Sequence, residues 1–466
     1  MENPDDNYCV SVWQRQSSGV ILRIMALILL ANFPALTTKA APVSGAAQAA
    51  LEETTLAYEE AQLVEETSHA EGIDPATTVE PDLPQPALEG IVDGAESATP
   101  RRLQYHVSLA VRSVYDDNVN LNQTNREGDL YTSIEPTIDL GWGTTDGNFV
   151  ALTYAPNAFI FVDHSENNAL QHVISLTGQY RFPLLTLSLS QDVQILDGTG
   201  LNTNTGTGTS FTRTNLDVAG RTKVNIYATR LNANYSLTGK TFLTGGLGYS
   251  VSDYETLISS STLSANVYFN YTYSPKLSLG LGLSGGYNTV GSPSQNQTFE
   301  QINARASYEL TGKISASVSG GVEFRQVENS GVQDNGSPVF DGSLFYQPFD
   351  GTSISMSFSR RTQNSATLFG QDFHSTTLTL SARQRFLQKI FFGLTVGYEN
   401  SEYFSTISGL SSTRSDDYYF LQASLDYNIT SFWTAGVFYF YRESQSTFSI
   451  FSFYDNQFGL RTSLTF

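Results

Sequence analysis

The chain has 466 residues, of which 15% are charged and 12% aromatic, with 25 Tyr and 29 Phe. Tyr, Phe, Val and Thr favour strands, so the composition predicts an all-β protein rather than a helical one. The net charge of −20 argues against a nucleic-acid partner, and the single cysteine, Cys9, excludes an intrachain disulfide. Five scattered histidines without cysteine pairs predict neither a metal site nor a cofactor.

Residues 1–40 are predicted to be a secretory signal peptide. Arg15 and Arg23 precede an apolar run from Ile24 to Leu36, and the small-residue site Thr38–Ala40 follows, with cleavage expected after Ala40. The run is shorter than the roughly 20 residues that a membrane-spanning helix needs. Cys9 lies ahead of the apolar run, whereas a lipid-anchor cysteine would follow it, so lipidation is not expected.

Residues 41–102 are predicted to be a disordered, acidic periplasmic segment. Positions 41–100 hold 13 Asp and Glu and no Lys or Arg, and the prolines from Pro75 to Pro86 favour an extended linker. A short acidic helix over 51–67 that docks onto a partner is the alternative.

From Leu103 to Phe466 the sequence alternates between apolar and polar residues in segments bounded by turn signals. In "KISASVSGGVEF", for example, Ile314, Val318 and Phe324 share one face and serines occupy the other. Short connections, such as 274–276 and 311–312, alternate with longer polar ones, such as 255–259 and 198–221. Nine long and eight short connections predict eighteen strands, with sixteen as the alternative.

This pattern predicts a transmembrane antiparallel β-barrel of the outer membrane. Short turns at one rim, long loops at the other and an even number of strands are typical of such barrels. The sequence stops on an amphipathic strand, and its apolar residues form the predicted signal for the outer-membrane assembly machinery: Phe458, Leu460, Leu464 and Phe466. Lipid and lipopolysaccharide are the expected surroundings, and a soluble β-repeat protein is the alternative fold.

If the apolar face meets lipid, the polar face lines the lumen, because a charge in the bilayer must face water or another charge. The predicted lumen residues are Arg112, Arg181, Arg305, Arg325, Arg361, Arg383, Arg385, Arg461, Glu323 and Glu399. Two interpretations remain open. The charges form cross-strand pairs that keep the lumen polar, or the arginines form a selectivity surface for an anionic solute or polymer.

Aromatic clusters near strand ends predict interfacial girdles, and inward rings such as Phe438 and Phe440 are candidates for a sugar-stacking track. "GLSGG" at 282–286 fits the pattern of a nucleophile elbow, but it lies within a glycine-rich strand and has no nearby histidine. We therefore expect no enzyme activity, and a barrel hydrolase that uses His106, His164 or His374 is a remote alternative.

The phrase Tyr115-Asp116-Asp117-Asn118 at the end of the first predicted strand resembles the opening strand of the β-barrel porin family associated with exopolysaccharide gene clusters. The resemblance covers about residues 103–466. It implies an outer-membrane barrel that works beside a periplasmic polysaccharide-export protein.

The expected function is a porin-like channel, either passive or opened by a partner, with residues 198–221 as the expected constriction. A structural or adhesive barrel with a plugged lumen is the alternative. The sequence identifies neither the solute nor the oligomeric state.

Overall fold

The computed structural model describes residues 103–143, 147–198, 217–218, 220–328, 336–410 and 413–466. The predicted signal peptide and acidic segment lie outside these residues. The eighteen strands are β1 (Leu103–Asp116), β2 (Asp129–Gly143), β3 (Phe149–Phe161), β4 (Ala169–Arg181), β5 (Leu185–Gly198), β6 (Thr222–Ser236), β7 (Thr241–Tyr254), β8 (Ser260–Ser274), β9 (Leu277–Val290), β10 (Gln297–Thr311), β11 (Ile314–Val327), β12 (Ser337–Phe349), β13 (Thr352–Asn364), β14 (Gln371–Phe386), β15 (Ile390–Ser405), β16 (Ser415–Asn428), β17 (Trp433–Ser446) and β18 (Phe453–Thr465).

Each strand pairs antiparallel with the next, and β1 also pairs with β18, so the sheet is a closed barrel. At the closure Ser108 lies opposite Thr465 and Asp116 lies opposite Gln457. Closure leaves no strand edge unpaired. The predicted all-β fold and the count of eighteen strands are confirmed. Among the residues that the structure describes, no helix is long and apolar enough to span a membrane.

The two rims of the barrel differ in the length of their connections. β1 runs from the rim of short turns, the turn rim, to the rim of long loops, the loop rim. The connections at the loop rim include L1 (117–128), L3 (199–221), L7 (365–370), L8 (406–414) and L9 (447–452). L3, predicted to be the longest connection, joins β5 to β6, and its residues 199–216 and 219 lie outside the described part.

The outward face of the barrel is apolar and exposed in the middle of the strands. Leu281 is 70% exposed and Ile302 is 62% exposed, which suits a lipid contact and not a soluble surface. Exposed rings lie at two heights. Those nearer the loop rim are Tyr115, Tyr227, Tyr287, Tyr398, Tyr419 and Tyr454, and those nearer the turn rim are Tyr105, Trp142, Tyr235, Tyr271, Tyr308, Tyr427 and Trp433. Two belts of rings at these heights are typical of the interfacial girdles of membrane barrels.

Several inward aromatic rings lie flat on glycines of the neighbouring strand. Phe420 covers Gly397, and Phe438 covers Gly459, so that a Cβ atom on either glycine would overlap the ring. Because a flat ring takes up less of the lumen than an upright one, these glycines let the wall hold aromatic side chains without filling the interior.

We expect Gly397→Ala to lower the free energy of unfolding by about 1–3 kcal/mol, because the added methyl group displaces the Phe420 ring from a packed position. Unfolding in urea, followed by tryptophan fluorescence in detergent micelles, measures this change. The control is Gly312→Ala in a turn where a Cβ has no neighbour within 4 Å. Equal effects of the two substitutions would contradict the packing role of Gly397.

Candidate transport pore

All ten predicted lumen residues lie on the inward face of the barrel. Side chains alternate between the faces of a strand, and exposed apolar residues mark the outward positions. Leu460 is outward and 64% exposed, so the adjacent Arg461 is inward; Val322 and Phe324 likewise place Glu323 inward. The same alternation places the remaining residues inward: Arg112, Arg181, Arg305, Arg325, Arg361, Arg383, Arg385 and Glu399.

Carboxylates on the inner wall pair with Arg112, Arg461 and Arg325. Arg112 Nε donates to Glu135 Oε1 at 2.7 Å, and Arg461 Nε donates to Asp426 Oδ1 at 2.7 Å. Both pairs have a second contact through Arg Nη2.

The third pair belongs to a network that ties two sectors of the wall together. Arg325 Nε donates to Glu323 Oε1 at 3.0 Å, and Nη1 lies 3.8 Å from Asp372 Oδ2 on β14. The same guanidinium donates to the main-chain oxygen of Thr362 on β13 at 3.0 Å. Cross-strand pairing therefore accounts for these arginines, and such pairs keep a lumen polar with little net charge.

Arg305 is held by neutral groups and by a ring. Its Nε donates to Asn270 Oδ1 at 2.9 Å and its Nη2 donates to Thr244 Oγ1 at 2.7 Å. The guanidinium carbon lies 4.2 Å from the centre of the Tyr268 ring, a cation–π distance.

The other predicted lumen residues lie at different heights. Arg181 and Arg385 are near the turn rim, as is Arg383, which stands 5.1 Å from the centre of the Phe391 ring. Glu399 is buried in the wall, where its Oε1 accepts a hydrogen bond from Ser375 at 2.9 Å. The structure does not gather the ten residues into one selectivity ring.

A cavity of about 250 Å³ lies inside the barrel between β6 and β13. Its lining is mostly amide, hydroxyl and guanidinium groups, and it includes Arg230, Asn266, Tyr268, Gln301, Asp341 and Arg361. Arg230 Nη1 lies 3.3 Å from Asp192 Oδ2, so this guanidinium is also charge-compensated.

L3 is anchored at the loop rim through Asp217, a buried residue that sequence reasoning did not single out. Asp217 Oδ1 accepts hydrogen bonds from Ser365 Oγ and Tyr403 Oη, both at 2.8 Å, and Oδ2 accepts from the main-chain N–H of Ala366 at 2.8 Å. These partners belong to L7 and β15. Asp217 therefore joins L3 to the far side of the barrel mouth.

Chain geometry shows that this contact lies over the lumen. Only five peptide steps separate Asp217 from Thr222, the first residue of β6, and they span at most about 18 Å. Seven strand spacings separate β6 from β13, which is about 34 Å along the wall. Since the linker cannot follow the wall over that distance, the contact between Asp217 and L7 crosses the mouth. L7 and the last residues of L3 thus meet at the mouth, whereas the constriction expected from residues 198–221 stays a prediction, because residues 199–216 and 219 lie outside the described part.

Arg414 at the end of L8 completes this anchor. Its guanidinium is buried between Asp217 Oδ1, 3.4 Å away, and Asp416 Oδ2, 2.7 Å away. Its carbon lies 3.4 Å from the centre of the Phe451 ring in L9. Burial acts to lower the pKa of Arg414, but Tyr403, Asp217 and Asp416 together outweigh this effect and hold the pKa above its ordinary value. Arg414 therefore stays charged and binds three loops together.

An apolar cluster fills the sector of the loop-side mouth next to the barrel closure. Leu121 of L1 packs there against four inward rings: Tyr418, Phe420, Phe440 and Phe453. Phe440 is thus a packing residue and not a free surface for a sugar. Phe438, whose ring lies over Gly459, is only partly buried.

No serine–histidine–acid triad forms at the positions suggested by the sequence. Ser284 lies within β9 and donates to Gln301 Oε1 at 2.9 Å. His106 pairs with Asp139 at 3.0 Å, and His164 pairs with Asp129 at 3.2 Å. Neither has a serine hydroxyl among its hydrogen-bond partners in the described part of the chain.

A closed eighteen-stranded barrel with an apolar belt, a polar interior and loops folded over one mouth defines a porin-like protein of the outer membrane. Residues 295–466 match the protein family described as "Putative beta-barrel porin 2". This match confirms the resemblance to a β-barrel porin family, but it falls in the second half of the barrel and does not include Tyr115–Asn118. No curated protein matches the chain in sequence.

Solved porin structures are similar to the chain in fold at low sequence identity. Pseudomonas aeruginosa OpdK, solved with vanillate, is 10% identical over 78% of this chain and 99% of its own, with a TM-score of 0.40. Pseudomonas aeruginosa OccK2 (OpdF), solved with glucuronate, is 10% identical over 78% of this chain and 98% of its own, with a TM-score of 0.43. Acinetobacter baumannii OccAB3 is 10% identical over 78% of this chain and 99% of its own, with a TM-score of 0.40.

Proposed function

We propose that the protein is a narrow aqueous pore for polar solutes of low charge. The observation that carries this proposal is the composition of the inner wall, where carboxylates pair with Arg112, Arg230, Arg325 and Arg461 while amides and hydroxyls fill the space between them. A lumen with paired charges attracts neither cations nor anions strongly. Amide and hydroxyl groups instead offer hydrogen bonds to a neutral hydrophilic solute.

The anchored loops determine how far such a pore is open. Because L3, L7 and L8 meet over the lumen, the mouth is narrower than eighteen strands alone would give. The pore therefore admits small solutes at rest.

Single-channel recording of the refolded protein in a planar bilayer tests the proposal. We expect a steady, small conductance with a reversal potential close to zero in a salt gradient. A strong anion preference would instead support an arginine selectivity surface, and silence from correctly folded protein would overturn the open pore.

A more specific proposal is that the solute is a polysaccharide chain handed over by a periplasmic export protein. It is supported by the resemblance to a porin family associated with exopolysaccharide genes and by the part-exposed Phe438 ring on the inner wall. Deletion of the gene should then abolish polymer secretion while synthesis continues. Normal secretion would leave the general pore as the better description.

A plugged structural barrel is the second candidate function. The apolar cluster around Leu121 favours it, because this cluster removes one sector of the mouth from water. The same bilayer recording separates the two functions, since a plugged barrel conducts no ions.

A further inference from the structure

We propose that Asp116, Asp117 and Asp455 form a binding site for a divalent cation of the Ca²⁺ type. The site lies at the loop rim of the seam where β1 meets β18. One carboxylate oxygen from each residue lies within 4.8 Å of the others, which is close enough for all three to reach one ion.

The seam brings these residues together from opposite ends of the barrel sequence. Asp116 ends β1, and Asp117 continues the pairing, because its N–H donates to the main-chain oxygen of Asn456 at 3.1 Å. Asp455 lies in β18, directly before Asn456. Asp117 Oδ1 accepts the Asn456 N–H at 2.8 Å, which fixes the two strands at this height.

A second observation points to a missing ligand. Asp455 is completely buried, and its Oδ1 has no hydrogen-bond partner, while Oδ2 accepts from Arg442 Nε at 2.6 Å. An ionised carboxylate oxygen that is buried without a partner is strongly unfavourable. A cation bound by Oδ1 removes this penalty.

The Asp217–Arg414–Asp416 anchor provides an internal comparison. There, too, two buried carboxylates flank one guanidinium, but all four carboxylate oxygens accept hydrogen bonds. At the seam, Asp116 and Asp455 are also buried, and Arg442 is the buried guanidinium beside them. The difference between the two sites is the unpartnered Oδ1 of Asp455, which gives the seam a position for a further positive charge.

The ligand set favours Ca²⁺ over a transition metal. All three residues supply carboxylate oxygens and none supplies sulfur or nitrogen, which suits a hard cation. Ca²⁺ also tolerates irregular geometry and completes its shell with water. Bound there, the ion would link the first strand to the last and stabilise closure of the barrel.

The test uses the whole protein, purified in detergent and stripped with EDTA. Calorimetric titration with CaCl₂ and then MgCl₂ measures binding, and the temperature at which the barrel unfolds, read from its shift in gel mobility, measures stabilisation. Since losing even an outer-shell partner lowers metal affinity by about 10–100-fold, we expect Asp455→Asn to lower Ca²⁺ affinity by at least about tenfold. Asp117→Asn should weaken binding in the same direction.

Asp253→Asn is the matched control, because Asp253 is an exposed carboxylate near the loop end of β7, away from the seam. Ca²⁺ should raise the unfolding temperature of the wild type and of this control but not that of Asp455→Asn. Two outcomes overturn the proposal: the wild type does not bind Ca²⁺, or Asp455→Asn binds it as tightly as the wild type.

Discussion

Asp217→Ala is expected to raise the single-channel conductance by a factor of about two or more, because it releases L3 from the opposite side of the narrowed mouth. The substitution removes the acceptor for Ser365, Ala366 and Tyr403 in a single step. L7 then keeps only weaker links, such as the hydrogen bond from Thr367 Oγ1 to the main-chain oxygen of residue 217, and both loops can move outward. Recordings in a planar bilayer at fixed salt measure the change.

Asp217→Asn should have a smaller effect than Asp217→Ala. The amide keeps one oxygen as an acceptor for Tyr403 or Ser365 but loses its charge attraction to Arg414. The single-channel conductance should therefore rise from the wild type to Asp217→Asn and again to Asp217→Ala. Asp253→Asn, an exposed change at the same rim, controls for a general effect of removing negative charge.

The anchor also contributes to stability, so the variants must be checked for folding. Removing one partner from a buried ion pair typically costs about 3–5 kcal/mol, although Arg414 keeps Asp416 as a partner at 2.7 Å. A folded Asp217→Ala barrel with the conductance of the wild type would show that the narrowing at Asp217 does not limit flow.

The wall of the barrel could be predicted closely from the sequence because its signals are local. Alternation within each strand assigns Arg461 and Leu460 to opposite faces without any knowledge of neighbours. Turn residues then separate one strand from the next, as at the break between Ser274 and Leu277. In a sheet in which every strand pairs with the next, these two signals determine the order of the strands. They also determine which side chains of each strand face the lumen.

The mouth could not be predicted in the same way, because its contacts are not local. Asp217 binds residues that lie about 150 to 200 positions further along the chain, and no alternating pattern specifies them. In the sequence, Arg414 looks like any other loop arginine. Only the fold shows that Asp217, Asp416 and Phe451 surround it. Alternation places Phe440 on the inner face, where the structure also has it, but no feature of the sequence indicates that Leu121 covers it.

The sequence also could not decide whether the lumen arginines pair with carboxylates or form a selectivity surface. Alternation places Arg461 and Asp426 on the inner face, but their contact depends on Gly436 in the strand between them, where a side chain would block Asp426. Only the register of three strands brings the guanidinium and the carboxylate together.

This pair provides a direct test of charge compensation in the lumen. Arg461→Gln leaves Asp426 uncompensated and should shift the reversal potential toward cation selectivity, whereas Asp426→Asn should shift it toward anions. An uncompensated charge about 5 Å from a passing ion, in water with about 0.1 M salt, attracts one sign of ion and repels the other by roughly 0.5 kcal/mol each, which is about a fivefold change in the cation-to-anion permeability ratio.

The double variant should return to the selectivity of the wild type, because it removes both charges of the pair. This cancellation distinguishes a compensated pair from two independent charges near the ion path. Raising the salt concentration should shrink both single shifts, since screening shortens the reach of each charge. If the two single variants shift selectivity in the same direction, or if the double variant keeps either shift, the pairing of Arg461 with Asp426 does not set the charge that ions meet in the pore.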